Sequence, residues 1–239
     1  MTDVRLERYA RVLVWAAPIW AVLLFIGTLD HQPPPQTAFA EYARFITTAT
    51  FLASHLVASI LGAAFGTLGF AALFVILVQR GAGALTTWAF ALFVIGNTLV
   101  TSVFGAAAFA QPAIGRMYLA GATAQAVALQ DDIYGIPLFA TALPGVVLLT
   151  VGLVLFGIAT ARAVWLPRWV GITLAVSAPL FGILGFILAD VVQSVGAAGL
   201  IVCTLAIAVF AGRGSRAESE RYGAGGVAGA GSGPPHTGA

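Results

Sequence analysis

The sequence predicts an all-α fold, a polytopic helical membrane bundle of six transmembrane helices with both termini in the cytoplasm. Three observations predict it: an apolar composition, six long runs without charge, and a biased distribution of arginine. Hydrophobic residues make up 60% of the 239 residues and charged residues 8%, with a mean hydropathy of +0.98. Because about a quarter of the residues in soluble domains are charged, water is not the solvent for most of this surface.

The six runs without charge each contain at least about 18 residues, the length at which a helix spans a bilayer. They are 12–29, 45–79, 81–115, 133–161, 169–189 and 191–212. The second and third runs hold 35 residues each. As helices they would be about 52 Å long, which exceeds one hydrocarbon core but is too short for two spans and a turn. Each run therefore holds one span, and we predict spans near 12–29, 53–78, 84–108, 134–160, 169–189 and 192–211.

The distribution of arginine sets the predicted orientation. All eleven basic side chains are arginine, and Arg5, Arg8 and Arg11 precede the first run, which places the N-terminus in the cytoplasm by the positive-inside rule. Alternation from there leaves nine arginines inside and only Arg44 and Arg116 outside. Because the arginines are dispersed rather than gathered in one stripe, we expect a lipid bilayer as the partner and no nucleic acid.

The segments outside the spans carry weaker signals. Three prolines, 33–35, predict an extended segment after the first span. Thr37 is predicted to cap a short helix that presents aromatic residues to the membrane interface, and a second short helix is predicted near 122–129. The transmembrane domain is 1–211, and the Gly-rich, polar residues 212–239 are predicted to form a disordered cytoplasmic tail.

No phosphate-binding glycine loop, HExxH helix, GxSxG elbow or acidic calcium loop occurs in the sequence. We therefore assign no catalytic residue and turn to polar residues within the spans, which are costly in hydrocarbon and so are candidates for function. His55 is the only residue in the charge-free runs that normally titrates near neutral pH. Continuing along the second span at helical spacing, its face carries only small or polar residues: Ser59, Gly62, Gly66 and Gly69.

The third span offers a partner for this face. Gly62 and Gly66 form a GxxxG pair, which lets a neighbouring backbone approach closely. On the third span, Asn97, Thr101 and Gly105 share one face, and the short turn after Arg80 makes the two spans antiparallel. We expect a seam between the two spans, with Asn97 opposite the interval between Gly62 and Gly66.

Three interpretations of this seam remain open. It is a packing interface whose polar side chains satisfy one another, or it lines an outward-facing pocket in which His55, Ser59, Asn97 and Thr101 bind a ligand or relay a proton. In the third, His31 and His55 approach one haem iron or copper ion at the outer surface. The first two interpretations need no metal or cofactor.

We expect a non-enzymatic protein of the plasma membrane, either an accessory or assembly component or a small binding component. It would contact another membrane protein or a second copy of itself. The alternative is a small-solute or proton-coupled transporter that uses His55 and Asn97, and the third interpretation is a haem-dependent membrane redox protein. The predominance of Arg over Lys, with abundant Ala and Gly, is typical of a bacterial source.

Overall fold

The computed structural model describes residues 2–29, 36–188 and 190–227, and every regular element within these ranges is helical. We number the helices in chain order. They are α1 (Thr2–Leu13), α2 (Ala16–Thr28), α3 (Phe39–Ile46), α4 (Ala49–Gln79), α5 (Ala84–Leu119), α6 (Thr123–Ile133), α7 (Ile136–Arg162), α8 (Arg168–Leu184) and α9 (Asp190–Val227). The all-α fold class is confirmed.

Five segments of the described chain are long and apolar enough to cross a membrane. They are Arg5–Thr28, α4, α5, α7 and Val191–Arg213. The fifth predicted span corresponds to α8, which is apolar but shorter, at 17 residues. Beyond the last span, α9 continues to Val227, and the rest of the predicted tail, 228–239, lies outside the described residues, as do His31 and the three prolines.

The long helices form a closed ring in chain order. The second helix, α2, packs between α9 and α4, while α5 packs on α4 and, more extensively, on α7. The ring closes through α8, which lies between α7 and α9. Each long helix therefore has its sequence neighbours as its spatial neighbours, which is what short connections between antiparallel helices favour.

An aromatic cluster fills the centre of this ring. Trp20, Phe70, Phe93 and Phe156 come one each from α2, α4, α5 and α7, and all four are buried. The ring of Phe70 lies 5.3 Å from Trp20, 4.5 Å from Phe93 and 5.2 Å from Phe156, measured between centroids. Such pairs contribute about 0.5–1.5 kcal/mol beyond their buried area, so this cluster holds four helices together.

The glycine face of α4 packs on α2, whereas the sequence analysis predicted that these glycines pack on α5. A Cβ atom at Gly66 would lie 2.9 Å from Trp20 Cδ1, and one at Gly69 would lie 2.6 Å from Ala17 Cα. At Gly62 it would make ordinary contact with Leu23, at 3.5 Å. A Cβ atom at Gly105 would meet no described neighbour within 4 Å, so this glycine makes no close packing contact within the described part of the chain. The bulk of the Trp20 indole explains the pairing, because only glycine leaves room for it.

The closest approach of α5 is instead to α7, through glycines that the sequence analysis did not select. A Cβ atom at Gly145 would lie 2.9 Å from Leu99 Cβ, and one at Gly152 would lie 2.5 Å from Phe93 N. These two glycines are seven residues apart and so lie on one face of α7. This spacing of seven residues is the feature of the sequence that could have identified Gly145 and Gly152 as a helix-packing face.

The third span extends beyond its predicted end at 108, because α5 continues to Leu119 with Pro112 inside it. Its 36 residues correspond to about 54 Å, well beyond a hydrocarbon core of about 30 Å. The extension is stabilised by α3: Ile114 is fully buried, and a Cβ atom at Gly115 would lie 2.8 Å from the Ala43 carbonyl oxygen. The predicted helix after 37 is therefore present, but Ala38 rather than Thr37 is its N-cap residue, and no side chain caps it.

The other end of the bundle carries most of the described arginines. Glu7 Oε1 accepts hydrogen bonds from Arg11 Nη2 at 2.8 Å and from Arg80 Nη2 at 2.9 Å. This joins the N-terminal helix to the turn between α4 and α5. The connection between α7 and α8 meets them there, since the Arg80 guanidinium lies 4.1 Å above the Trp165 ring. Three segments that were predicted to share one side of the membrane thus lie together.

Candidate functional site: a polar cavity within the bundle

A cavity of about 70 Å³ lies within the bundle, between α2, α4, α5, α7 and the region of α8 and α9. Most of its lining is apolar, and among the described residues that line it none is charged. Its polar lining consists of Thr28, Ser59, Asn97, Thr101 and Gln193. The volume is several times the roughly 15 Å³ that a single water needs, so the cavity has room for a small polar molecule.

Two wide helical turns border the cavity. The α4 helix has π geometry over Ser54–Leu61, and α8 has it over Leu180–Leu184. The first contributes Ala58 and Ser59 to the lining, and the second contributes Phe181 and Gly182. Pro179 immediately precedes the second segment, and it lacks the N–H that a continuous α-helix would use. Single π turns within α-helices frequently occur at functional sites.

Asn97 connects the cavity to the helix packing. Its Nδ2 donates to the Ala63 carbonyl at 3.0 Å and to Thr67 Oγ1 at 3.0 Å, so the predicted position of Asn97 opposite the interval between Gly62 and Gly66 agrees with the structure. Both amide hydrogens are used, and the carbonyl oxygen Oδ1 accepts no hydrogen bond from a described residue. An acceptor is therefore left at the cavity wall.

Two further polar side chains at the cavity make no hydrogen bond with any described residue. They are Ser59, which is 8% exposed, and Gln193, which is 4% exposed. The other two polar residues are satisfied within the protein: Thr101 Oγ1 donates to the backbone carbonyl of Asn97 at 2.6 Å, and Thr28 shares a hydrogen bond of 2.9 Å with Ser194. Leaving a buried polar group unpaired costs about 1–3 kcal/mol, so a hydrogen-bonding occupant would stabilise the cavity.

His55 is buried beside the cavity but does not line it. Its Nδ1 lies 2.9 Å from the Phe51 carbonyl, and its ring lies 4.2 Å from the Phe51 ring. A carbonyl only accepts, so Nδ1 carries the proton that is donated to it. Phe104 lines the cavity, and its ring centroid lies 6.1 Å from that of the imidazole.

The structure therefore brings together three of the four predicted ligand-binding residues: Ser59, Asn97 and Thr101. It adds Thr28 and Gln193, which the sequence analysis missed. Gln193 was detectable as a polar side chain inside the last charge-free run. Its place in the same cavity as Ser59 was not, because α9 meets α2 only when the ring of helices closes.

The second ligand of the alternative haem or copper site, His31, lies outside the described residues. Within the described ranges no three His, Cys, Asp or Glu side chains are grouped so that they could hold a metal ion. The haem alternative stays a prediction.

Comparison with protein-family models, with curated proteins and with solved structures found no match to this chain.

Proposed function

We propose that this chain is a six-span membrane protein, with both termini in the cytoplasm, that binds a small uncharged solute in the cavity without catalysing a reaction. The observation that carries the proposal is the set of three buried polar side chains, Ser59, Asn97 and Gln193, that present unpaired hydrogen-bonding groups to one cavity. The two π segments that border the same cavity support it.

The sixth crossing in this proposal is α8. The single turn Gly185–Ile187 follows it directly, and 20 helical residues rise about 30 Å, which matches a hydrocarbon core. Tryptophans near the arginine-rich end support a membrane interface at that level: Trp15, Trp88 and Trp169 are 44%, 65% and 48% exposed, and exposed tryptophan is typical of the membrane interface. The bias of nine arginines against two favours a cytoplasmic location for that end.

The lining defines the chemistry of the solute. Asn97 Oδ1 requires a donor, whereas the Ser59 hydroxyl and the Gln193 amide both donate and accept. A solute that fits them carries both donors and acceptors. It is uncharged, because the described lining offers no counter-ion and an unpaired charge within a membrane bundle is costly.

Saturation-transfer NMR with glycerol and urea as probes tests this binding on the full chain in detergent. We expect transfer to at least one probe in the native protein, and its loss in Gln193→Leu, which removes both hydrogen-bonding groups. Thr98→Val is the matched control, because Thr98 is exposed on α5 and does not line the cavity. No transfer to either probe, or equal transfer in all three proteins, contradicts the proposal.

Transport is separated from binding by stopped-flow light scattering of proteoliposomes with the same probes. If the protein only binds the solute, proteoliposomes swell at the same rate as protein-free vesicles. If it transports the solute, they swell faster, and Gln193→Leu returns the swelling rate to that of protein-free vesicles.

An accessory role is tested by identifying membrane proteins that co-purify in mild detergent. A visible absorption spectrum of the same preparation tests the haem alternative.

A further inference from the structure

A second, larger pocket lies at the arginine-rich end of the bundle, away from the polar cavity. It has a volume of about 850 Å³ and is lined by residues of α1, the turn between α4 and α5, and the connection after α7. We call it the basic pocket, because Arg11, Arg80 and Arg162 line it with Glu7 as the only described acidic residue. Three arginines against one glutamate leave a formal charge of +2.

Two of the three arginines of the basic pocket, Arg11 and Arg80, are held in place by Glu7. Arg80 donates from Nε and Nη2 to Glu7 Oε1, at 3.1 and 2.9 Å, and stacks on Trp165. These bonds use two of the five N–H groups of its guanidinium. Arg162 is exposed and makes no ion pair with any described residue. The pocket therefore combines a fixed cation with one that is available to a ligand.

The lining of the basic pocket also contains uncharged N–H groups that donate hydrogen bonds. The first turn of α5 lines the pocket from Gly83 to Thr86. The first N–H groups of a helix attract anions, and of those in this turn the N–H of Thr86 is already used, since it donates to the Gly83 carbonyl at 3.0 Å. Gly83 has no side chain to cap the others. Two donors of lining residues, Thr86 Oγ1 and Trp165 Nε1, have no hydrogen-bond partner among the described residues, and both atoms are enclosed by the protein rather than exposed at the pocket surface.

We propose that the basic pocket binds a phosphate group, either in the headgroup of an anionic phospholipid or as a free phosphate anion. A phosphate accepts several hydrogen bonds and carries the charge that the guanidinium groups and the helix N-terminus favour. The volume lies within the usual range of about 300–1,000 Å³ for small-molecule sites. Basic pockets between helices on the cytoplasmic side of a membrane are suited to phospholipid headgroups, and the exposed Trp88 and Trp169 mark that level of the bilayer.

Isothermal titration calorimetry on the full chain in detergent tests the proposal. The probes are dioctanoyl phosphatidylglycerol, dioctanoyl phosphatidylcholine and inorganic phosphate. We expect Arg162→Gln to bind the phosphate-bearing anion about fivefold more weakly than the native protein, the effect of one arginine near a membrane surface. Arg168→Gln is the matched control, because Arg168 is exposed on the next helix and does not line the pocket.

The three probes distinguish the two sources of phosphate. Binding of phosphatidylglycerol that depends on Arg162, with no measurable binding of inorganic phosphate, identifies a lipid headgroup. Binding of inorganic phosphate that depends on Arg162 identifies a free anion. Arg162→Glu, which reverses the charge at the same exposed position, is expected to weaken either one further. The proposal is overturned if Arg162→Gln and Arg168→Gln bind every probe as the native protein does, or if phosphatidylcholine binds as well as phosphatidylglycerol.

Discussion

The side-chain amide of Asn97 on α5 donates to the backbone carbonyl of Ala63 on α4, with a separation of 3.0 Å between Nδ2 and O. This bond joins two neighbouring helices at the wall of the polar cavity. Its second hydrogen reaches Thr67 on the same helix, also at 3.0 Å. Asn97 therefore links two neighbouring spans and also supplies an acceptor at the cavity.

The first prediction concerns this bond. Asn97→Leu should lower the free energy of unfolding in detergent by about 1–2 kcal/mol, because interhelical hydrogen bonds within a membrane contribute about 0.6–2 kcal/mol. Thr98→Val, at the exposed neighbouring position, should change it by less than about 0.5 kcal/mol. Equal unfolding free energies for the two variants would show that the bond contributes nothing to stability.

The second prediction compares two glycines that the sequence alone treats alike. Gly69→Leu should destabilise the bundle, because its Cβ atom would lie within 2.6 Å of the Ala17 backbone and would force α2 away. Gly105→Leu should be tolerated, since no described atom lies within 4 Å of the corresponding Cβ position. Overpacking typically costs about 1–3 kcal/mol. Melting temperatures in detergent measure the difference, and an equal loss in both variants would contradict the assigned contact between α4 and α2.

The third prediction concerns His55, which lies outside the cavity lining. His55→Gln should preserve solute binding, because a neutral amide keeps a donor for the Phe51 carbonyl and does not titrate near neutral pH. The measurement pairs thermal stability with probe binding between about pH 5 and 8, the range that brackets normal histidine titration. Loss of binding in a variant that melts like the native protein would give His55 a direct role and favour the proton-coupled alternative.

The fourth prediction concerns alkaline pH. Burial of Tyr42 on α3 raises the pKa of its phenol from 10 to about 12, so the folded state favours the neutral form more than the unfolded state does. This contribution to stability is fully present below pH 10 and is lost as the pH rises towards 12. The melting temperature should fall over that interval and fall less in Tyr42→Phe, with tyrosinate absorbance as the direct measurement. Tyr42 ionising at pH 10 in the folded protein would exclude this burial.

The sequence by itself determined the class of the fold and the side of the bundle on which the arginine-bearing segments lie. Both follow from one-dimensional quantities, the lengths of apolar runs and the order of charged residues, because the bilayer imposes a minimum length and a charge bias on each span. It also selected Ser59, Asn97 and Thr101, since polar side chains are conspicuous in apolar runs.

The partner of each helix face was decided only by the tertiary structure. The glycines of α4 could serve any neighbour that approaches closely, and the Trp20 indole on α2 packs against them, while α5 makes its close contact with Gly145 and Gly152 of α7. The polar cavity was likewise determined only by the tertiary structure. Gln193 reaches it because α9 closes the ring against α2, and ring closure depends on how side-chain volumes fit between helices, which periodicity along one helix does not encode.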